Sequence, residues 1–165
     1  MSYKDTYLKL SDFGRELLNK KSLADGIPLI SKYAKEVLSS QRCSIFIYNA
    51  ATNELKTTLA DGIKEILIDA NKGVVGHTLN EKKPLIVNDP YTNIHFLSDI
   101  DEDSGFMTHN LITAPIFNSQ REIVGVLELL NKKGGYNDED KKFMIFFAHY
   151  ISGFLELVTR MDEEK

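Results

Sequence analysis

The stretch that decides the fold is LITAPIFNSQREIVGVLELL, residues 111–130. Two apolar runs, 111–117 and 123–130, flank the polar connection 118–122. Runs of this length and composition, joined by a loop of hairpin length, predict two antiparallel strands. The second run is apolar on both faces, which is typical of a strand that is covered on both sides in the middle of a sheet.

The chain before this stretch contains further β-rich runs and one short helical pattern. A helix is predicted from Gly73 to about Asn80, and residues 88–108 are polar and irregular. A loop of that length in a compact domain is usually functional or disordered. The remaining predicted strands are residues 43–48, 54–60, 64–69 and 85–87.

Helical periodicity dominates both ends of the chain. Apolar residues recur at helical spacing in 4–20, in 29–38 and after Asn137. Asp25 is the expected N-cap of the second helix, with Pro28 in its first turn. Strands in the middle and helices at both ends predict an α+β fold with a mostly antiparallel sheet. We expect an N-terminal helix in 1–20, a domain in 21–158, and a helical extension in 159–165 towards an output domain of a longer parent protein.

Composition excludes several classes of function. The net charge is −4, and no extended run of Lys or Arg provides the basic face that nucleic acid requires. The apolar runs are too short to span a membrane, and the first residues lack a signal pattern, so a cytoplasmic location is expected. One cysteine, Cys43, excludes an intrachain disulfide and a cysteine-based zinc site. No catalytic triad signature, phosphate loop or kinase motif is present, so the chain is not expected to be an enzyme.

A few polar residues stand out on apolar elements. A carboxylate at Glu128, inside an apolar strand, must be paired, hydrogen-bonded or protonated. It either lies at a strand edge in contact with water or accepts a hydrogen bond from a ligand. Ser44 shares a strand face with Phe46, where a serine is most often structural. Gly73 and Gly76 open a helix whose N–H groups suit an anion, or they serve a tight turn.

In this order the segments resemble the GAF domain family, and specifically its cyclic-nucleotide-binding members in phosphodiesterases and adenylyl cyclases. The resemblance covers about residues 20–155. It implies a regulatory, small-molecule-sensing domain with a central antiparallel sheet, helices packed on one face and a closed ligand pocket on the other. The segments that carry it are RCSIFIYN (42–49), GVVGH (73–77), LIVND (85–89), DSGFMTHNLITAPIF (103–117), IVGVLELLNK (123–132) and GGYNDED (134–140).

The family's Asn-Lys-Phe-Asp-Glu signature falls on Asn131, Lys132, Tyr136, Asp140 and Lys141. Tyrosine replaces phenylalanine, and Lys141 reverses the charge of the final glutamate. The resemblance implies an ion pair between Lys132 and Asp140 that supports the pocket.

The resemblance also assigns a set of pocket positions, with cyclic AMP or cyclic GMP as the implied ligand. The position that stacks an aromatic ring on the base falls on Ala60, and a tyrosine contact falls on Leu97. Loss of a base–aromatic stack removes about 1–3 kcal/mol of binding energy. A different small ligand, or none, therefore stays open. The implied ligand-binding residues are Ser44, Ala60, Asp61, Val74, Val75, Leu97, Asp101, Ser104, Thr108 and Glu128.

Two functions from different classes follow from the sequence. In the first, the domain senses a small molecule and signals through its last helix to a covalently linked output domain. In the second, it has lost its ligand and acts as a dimerisation or scaffold module. Methionine-sulfoxide reductases of this fold need several cysteines, and the chain has only Cys43. We expect a homodimer through the terminal helices, built by Leu8, Phe13, Leu17, Phe154, Val158 and Met161.

Overall fold

The computed structural model describes residues 3–60, 66–93 and 107–163. Two helices, α1 (Tyr3–Leu18) and α2 (Leu23–Leu38), precede the strands β1 (Ser40–Asn49), β2 (Glu54–Ala60) and β3 (Ile66–Asp69). Helix α3 (Gly73–Glu81), strand β4 (Leu85–Val87) and a 3₁₀ turn (Pro90–Thr92) follow. The described part closes with β5 (Leu111–Phe117), β6 (Ile123–Lys132) and the long helix α4 (Asp138–Glu163).

The described strands form one antiparallel sheet in the order β3-β2-β1-β6-β5-β4. Strand β6 lies between β1 and β5, so the central position that its apolar pattern predicted is confirmed. The predicted α+β class with an antiparallel sheet is confirmed as well.

The start of α2 differs from the prediction. Ser22 is the N-cap, because its Oγ accepts a hydrogen bond of 3.2 Å from the Asp25 backbone N–H. Asp25 therefore lies inside the first turn, where its charge suits the helix dipole. Pro28 lies beyond the first turn. Serine and aspartate are both strong N-cap formers, so composition alone did not separate them.

The two faces of the sheet carry different layers. Helices α1, α2 and α4 cover one face, where the ring of Phe13 stacks on Tyr33 at 4.4 Å and Phe147 is fully buried. Helix α3 lies on the other face, where Val75 packs with Phe46 and Val126. Successive residues of a strand point to opposite faces. The odd-numbered residues of β1 therefore pack against α1, α2 and α4, and the even-numbered residues lie on the α3 face.

Candidate functional site

The α3 face of the sheet carries a row of polar residues in register. Ser44 of β1 lies directly opposite Glu128 of β6, which lies opposite Thr113 of β5. On its other side Ser44 pairs with Ala60 of β2. The sheet thus brings into one row three positions that the resemblance assigns to the ligand, Ser44, Ala60 and Glu128. Thr113 belongs to the same row and was not predicted.

Helix α3 packs over part of this row. The Thr78 hydroxyl lies 2.5 Å from the Thr113 hydroxyl and donates to the Val74 carbonyl at 2.9 Å. Val74 and Val75 are buried against two separate apolar clusters of this face. The side chains of these two predicted ligand residues therefore pack on the sheet.

The two glycines of α3 have structural roles. Gly73 adopts a φ of +73°, which only glycine takes readily. A Cβ on Gly76 would lie 2.8 Å from the Ala70 carbonyl oxygen, so a side chain there would collide with the preceding turn. Turn formation and close packing thus account for both glycines without a bound anion.

A further hydroxyl of this face lacks a partner within the described chain. Thr57 is fully buried on β2, opposite Phe46 and Ile66, and its Oγ1 makes no hydrogen bond there. An unsatisfied buried hydroxyl costs about 1–3 kcal/mol. Sequence reasoning missed Thr57, Thr78 and Thr113, and the available signal was a threonine at an inward position of each otherwise apolar element.

The signature residues meet at the end of the sheet where α4 begins. The Lys132 ammonium lies 2.7 and 2.8 Å from the two carboxylate oxygens of Asp140, so the ion pair implied by the resemblance is present. Asp140 is only 5% exposed. Its Oδ2 accepts from the Asn137 N–H, and the Asn137 Oδ1 accepts from the Asp140 N–H, each at 3.0 Å. This reciprocal capping begins α4.

The phenol of Tyr136 lies next to this ion pair. Its hydroxyl is 2.7 Å from the Ser40 hydroxyl, and the side chain is 4% exposed. Burial raises the pKa of Tyr136 above its ordinary value of 10.0, the hydrogen bond with Ser40 lowers it in part, and the negative charge of Asp140 raises it further. The phenol therefore stays protonated and acts as a structural hydrogen-bonding group.

Several predicted residues lie elsewhere. Thr108 is 2% exposed on the segment that enters β5. Only the backbone of Ala60 is described, and Asp61, Leu97, Asp101 and Ser104 lie outside the described residues. Two cavities lined by described residues are a groove of about 470 Å³ between α1 and α2 and one of about 500 Å³ beside the β5–β6 hairpin. Neither is lined by a predicted ligand residue.

In residues 3–60, 66–93 and 107–163, no group of three or more His, Cys, Asp or Glu side chains is arranged to hold a metal ion. None of the helices described there is both long and apolar enough to cross a membrane.

Comparison with known proteins establishes the class. The model of the GAF domain family matches residues 26–155, which is well over half of the sequence. The chain therefore belongs to the GAF domain family, in agreement with the resemblance read from its motifs.

Solved structures share the whole fold. The GAF domain of a phosphoenolpyruvate-protein phosphotransferase from Coxiella burnetii has a TM-score of 0.83 at 16% identity, covering 98% of this chain and 99% of that one. The corresponding Acinetobacter domain has a TM-score of 0.81 at 15% identity, with 99% of each chain covered. Free methionine-R-sulfoxide reductase from Neisseria meningitidis, solved with its substrate, has a TM-score of 0.72 at 14% identity, covering 98% and 95%. At such identities the likeness shows the fold alone.

Proposed function

We propose that this GAF domain is a regulatory sensor of a small molecule, which binds on the α3 face of the sheet. The observation that carries the proposal is the polar row Ser44–Glu128–Thr113 across three adjacent strands of a largely apolar face. The domain would act in a signalling protein, through α4, on a covalently linked output domain. The expected cytoplasmic location belongs to the same proposal.

The polar row consists of residue types that are uncommon on the covered face of a sheet. Ser44 is 6% exposed and Thr113 is fully buried, while Glu128 keeps partial exposure on the same face. Burying polar groups lowers stability unless each is well hydrogen-bonded, and apolar side chains would fill the layer without that cost. Local rules of this kind are broken mainly at functional sites. The row therefore favours a face that recognises polar atoms of a ligand.

The implied ligand class is a cyclic nucleotide or a related compound with several hydrogen-bonding groups. Ser44 and Glu128 supply a hydroxyl and a carboxylate that can pair with the N–H groups of a base edge or with ribose hydroxyls. Alanine at position 60 offers no ring for stacking, so a smaller ligand without an extended aromatic system fits this position as well.

A thiol-based reductase reaction is disfavoured by the position of the single cysteine. Cys43 is 1% exposed and packs in the layer between the sheet and α1, α2 and α4, on the opposite face from the polar row. Thiol catalysis requires an accessible thiolate. The fold shared with the Neisseria enzyme is thus not accompanied by a thiol at the proposed site.

The second candidate is a ligand-free dimerisation module, which exposed apolar residues on α1 and α4 favour. Three residues expected in such an interface, Phe13, Leu17 and Val158, are buried inside the single chain, so that part of the expected interface is wrong. Leu8 is 52% exposed and fits the expectation. The other large apolar side chains exposed on these helices are Tyr7, Leu18, Ile145, Phe146, Tyr150 and Leu157.

The experiment is a thermal-shift titration with cyclic AMP, cyclic GMP, free methionine and a panel of other nucleotides and metabolites. Ligand at about 100 times its Kd adds about 2.7 kcal/mol, which raises Tm by about 5–11 °C in a domain of this size. We expect one compound to give a saturable shift that Glu128→Gln reduces. Glu36→Gln, on the exposed side of α2, is the matched control and should leave the shift unchanged.

The opposite outcome is equally informative. If protein shown by mass spectrometry to be free of bound compounds gives no shift, the sensor proposal fails for the tested classes. A dimer in light scattering at micromolar concentration, together with that result, would then support the dimerisation module.

A further inference from the structure

Three asparagine side chains, Asn88, Asn110 and Asn131, join three separate segments at one end of the sheet. We call them the asparagine hub. Each bonds the backbone of another segment at two or more points, and two of the three, Asn110 and Asn131, are buried. None of these contacts involves the polar row described above.

Asn88, directly after β4, holds the connection between β6 and α4. Its Oδ1 accepts from the Tyr136 N–H at 3.0 Å, and its Nδ2 donates to the Tyr136 carbonyl at 3.2 Å. The amide thus imitates a neighbouring β-strand. A Cβ on Gly135 would lie 2.9 Å from the Asn88 Oδ1, so the connection passes close to this side chain.

Asn110 and Asn131 hold the segment that enters β5. The Asn110 side chain accepts from the Lys132 N–H at 2.8 Å and donates to the Lys132 carbonyl at 2.9 Å. In the reverse direction, the Asn131 Oδ1 accepts from the His109 and Asn110 N–H groups, and its Nδ2 donates to the Met107 carbonyl at 2.9 Å. The two asparagines therefore hold residues 107–110 against the end of β6.

The hub continues directly into the first turn of α4. Lys132, whose backbone Asn110 holds, forms the buried ion pair with Asp140. Tyr136, whose backbone Asn88 holds, precedes the capping residue Asn137. A displacement of Asn88 or of residues 107–110 must therefore break several buried hydrogen bonds or move the start of α4 with it.

The hub also flanks the ligand segment in sequence. Asn88 lies before residues 94–106 and Met107 directly after them, and this stretch contains positions 97, 101 and 104, which the resemblance assigns to the ligand. We infer that the asparagine hub couples the end of β4 and the segment that enters β5 to the first turn of α4, so that a displacement at Asn88 or Asn110 reaches the helix. The functional meaning rests on the proposed sensor role, whereas the coupling itself does not require a ligand.

The test is amide hydrogen exchange on the ligand-free chain, resolved by NMR. In Asn88→Ala we expect the amides of residues 140–144 in α4 to exchange about tenfold faster, because loss of the two bonds to Tyr136 loosens the connection in front of the helix. Asn118→Ala is the matched control. It also removes a side chain that makes two hydrogen bonds to the backbone, but at the far end of the sheet, and it should leave 140–144 unchanged.

Coupling must act in both directions. Asp140→Asn, at the helix end, should accelerate exchange of the His109 and Asn110 amides, which donate to Asn131. Wild-type rates at 140–144 in Asn88→Ala would overturn the inference, and so would equal acceleration in Asn118→Ala, which would indicate general loosening. If Asn88→Ala does not fold, Asn88→Asp replaces it: this variant keeps the acceptor for the Tyr136 N–H, replaces the donor to the Tyr136 carbonyl by a charged oxygen, and should accelerate exchange at 140–144 as well. A failed ligand titration would leave these results standing.

Discussion

The two ends of the central sheet use the same residue type for different purposes. At the hairpin end, the Asn118 Oδ1 accepts from the Gln120 and Glu122 N–H groups, both within its own loop. At the hub end, Asn131 bonds residues 21 to 24 positions away in the segment that enters β5 and, at Gln41, a residue 90 positions away. An asparagine can therefore either close a local turn or hold distant segments together, and only the second use ties the chain's two halves to each other.

Contacts to α4 show the same contrast. At the hairpin end, the Glu156 carboxylate accepts from the Ser119 N–H at 3.2 Å and from its hydroxyl at 2.9 Å, in an exposed setting. At the hub end, the carboxylate of Asp140 is 7% exposed and its partner Lys132 is 23% exposed. Buried polar contacts respond more strongly to the loss of one partner than exposed ones do. The hub end should therefore dominate stability.

The largest effect should come from Asn131. Asn131→Ala removes four side-chain hydrogen bonds and forces alanine into a φ of +63°. We expect a loss of about 4 kcal/mol in the free energy of unfolding, with about 1 kcal/mol of it from backbone strain. Chemical denaturation measures this value. Asn131→Gly, which accepts this backbone conformation without strain, should lower the free energy of unfolding by about 3 kcal/mol. Equal losses in the two variants would contradict a contribution from backbone strain.

The next effect concerns the ion pair. Asp140→Asn keeps an oxygen that can cap Asn137 but leaves the Lys132 charge half-buried without a counter-charge, and should cost about 2–3 kcal/mol. The melting temperature would fall by about 4–12 °C. Glu139→Gln breaks an exposed ion pair with Lys142 on the same helix and should change stability by less than about 0.5 kcal/mol. Similar losses for the two variants would show that burial does not separate these pairs.

The smallest effect is the alkaline dependence of stability that Tyr136 confers. Above pH 10 the phenol ionises in the unfolded chain, while burial, which raises the pKa of Tyr136, keeps it protonated in the folded chain. Unfolding is therefore favoured as pH rises, and this part of the stability is present below pH 10 and lost above it. Tyr136→Phe removes the hydrogen bond with Ser40 and should therefore lower the free energy of unfolding by about 1 kcal/mol at neutral pH. Between pH 10 and 11, its stability should fall less steeply than that of the wild type.

That alkaline comparison also has a built-in control. Burial raises the pKa of Tyr33 as well, and the charge of Tyr150 adds to the rise. Both residues are unchanged in the variant, so their contribution cancels. Parallel slopes for wild type and Tyr136→Phe would contradict the assignment to Tyr136.

Which features could be predicted from the sequence depends on how far apart in the chain the interacting residues lie. The strands in 111–130 were correct because alternation, apolar content and a short polar loop are local signals. The start of β1 at Ser40 was missed, since its first residues are polar and are held by pairing with Lys132 of β6. Glu128 could be singled out because a carboxylate is conspicuous in an apolar strand.

The polar row and the hub could not be derived in the same way. Thr113 is an ordinary strand residue until the register places it beside Glu128, and Asn88 is an ordinary loop residue until the fold brings Tyr136 to it. Both facts depend on contacts between residues far apart in sequence. The resemblance supplied Asn131, Lys132, Tyr136 and Asp140 because family motifs already record such long-range contacts.

The order of the strands has a consequence for the time course of folding. The centre of the sheet is the pairing of β1 with β6, in which Ser40 lies opposite Lys132. During synthesis β1, β2 and β3 emerge long before β6. The edge of β1 that pairs with β6 therefore stays unpaired until most of the domain has left the ribosome. Pairings of such high sequence separation are slow to form, because the loop between them must close first. An unpaired apolar edge at that stage invites association with other chains, and this makes the nascent N-terminal half the part of the molecule that most needs protection.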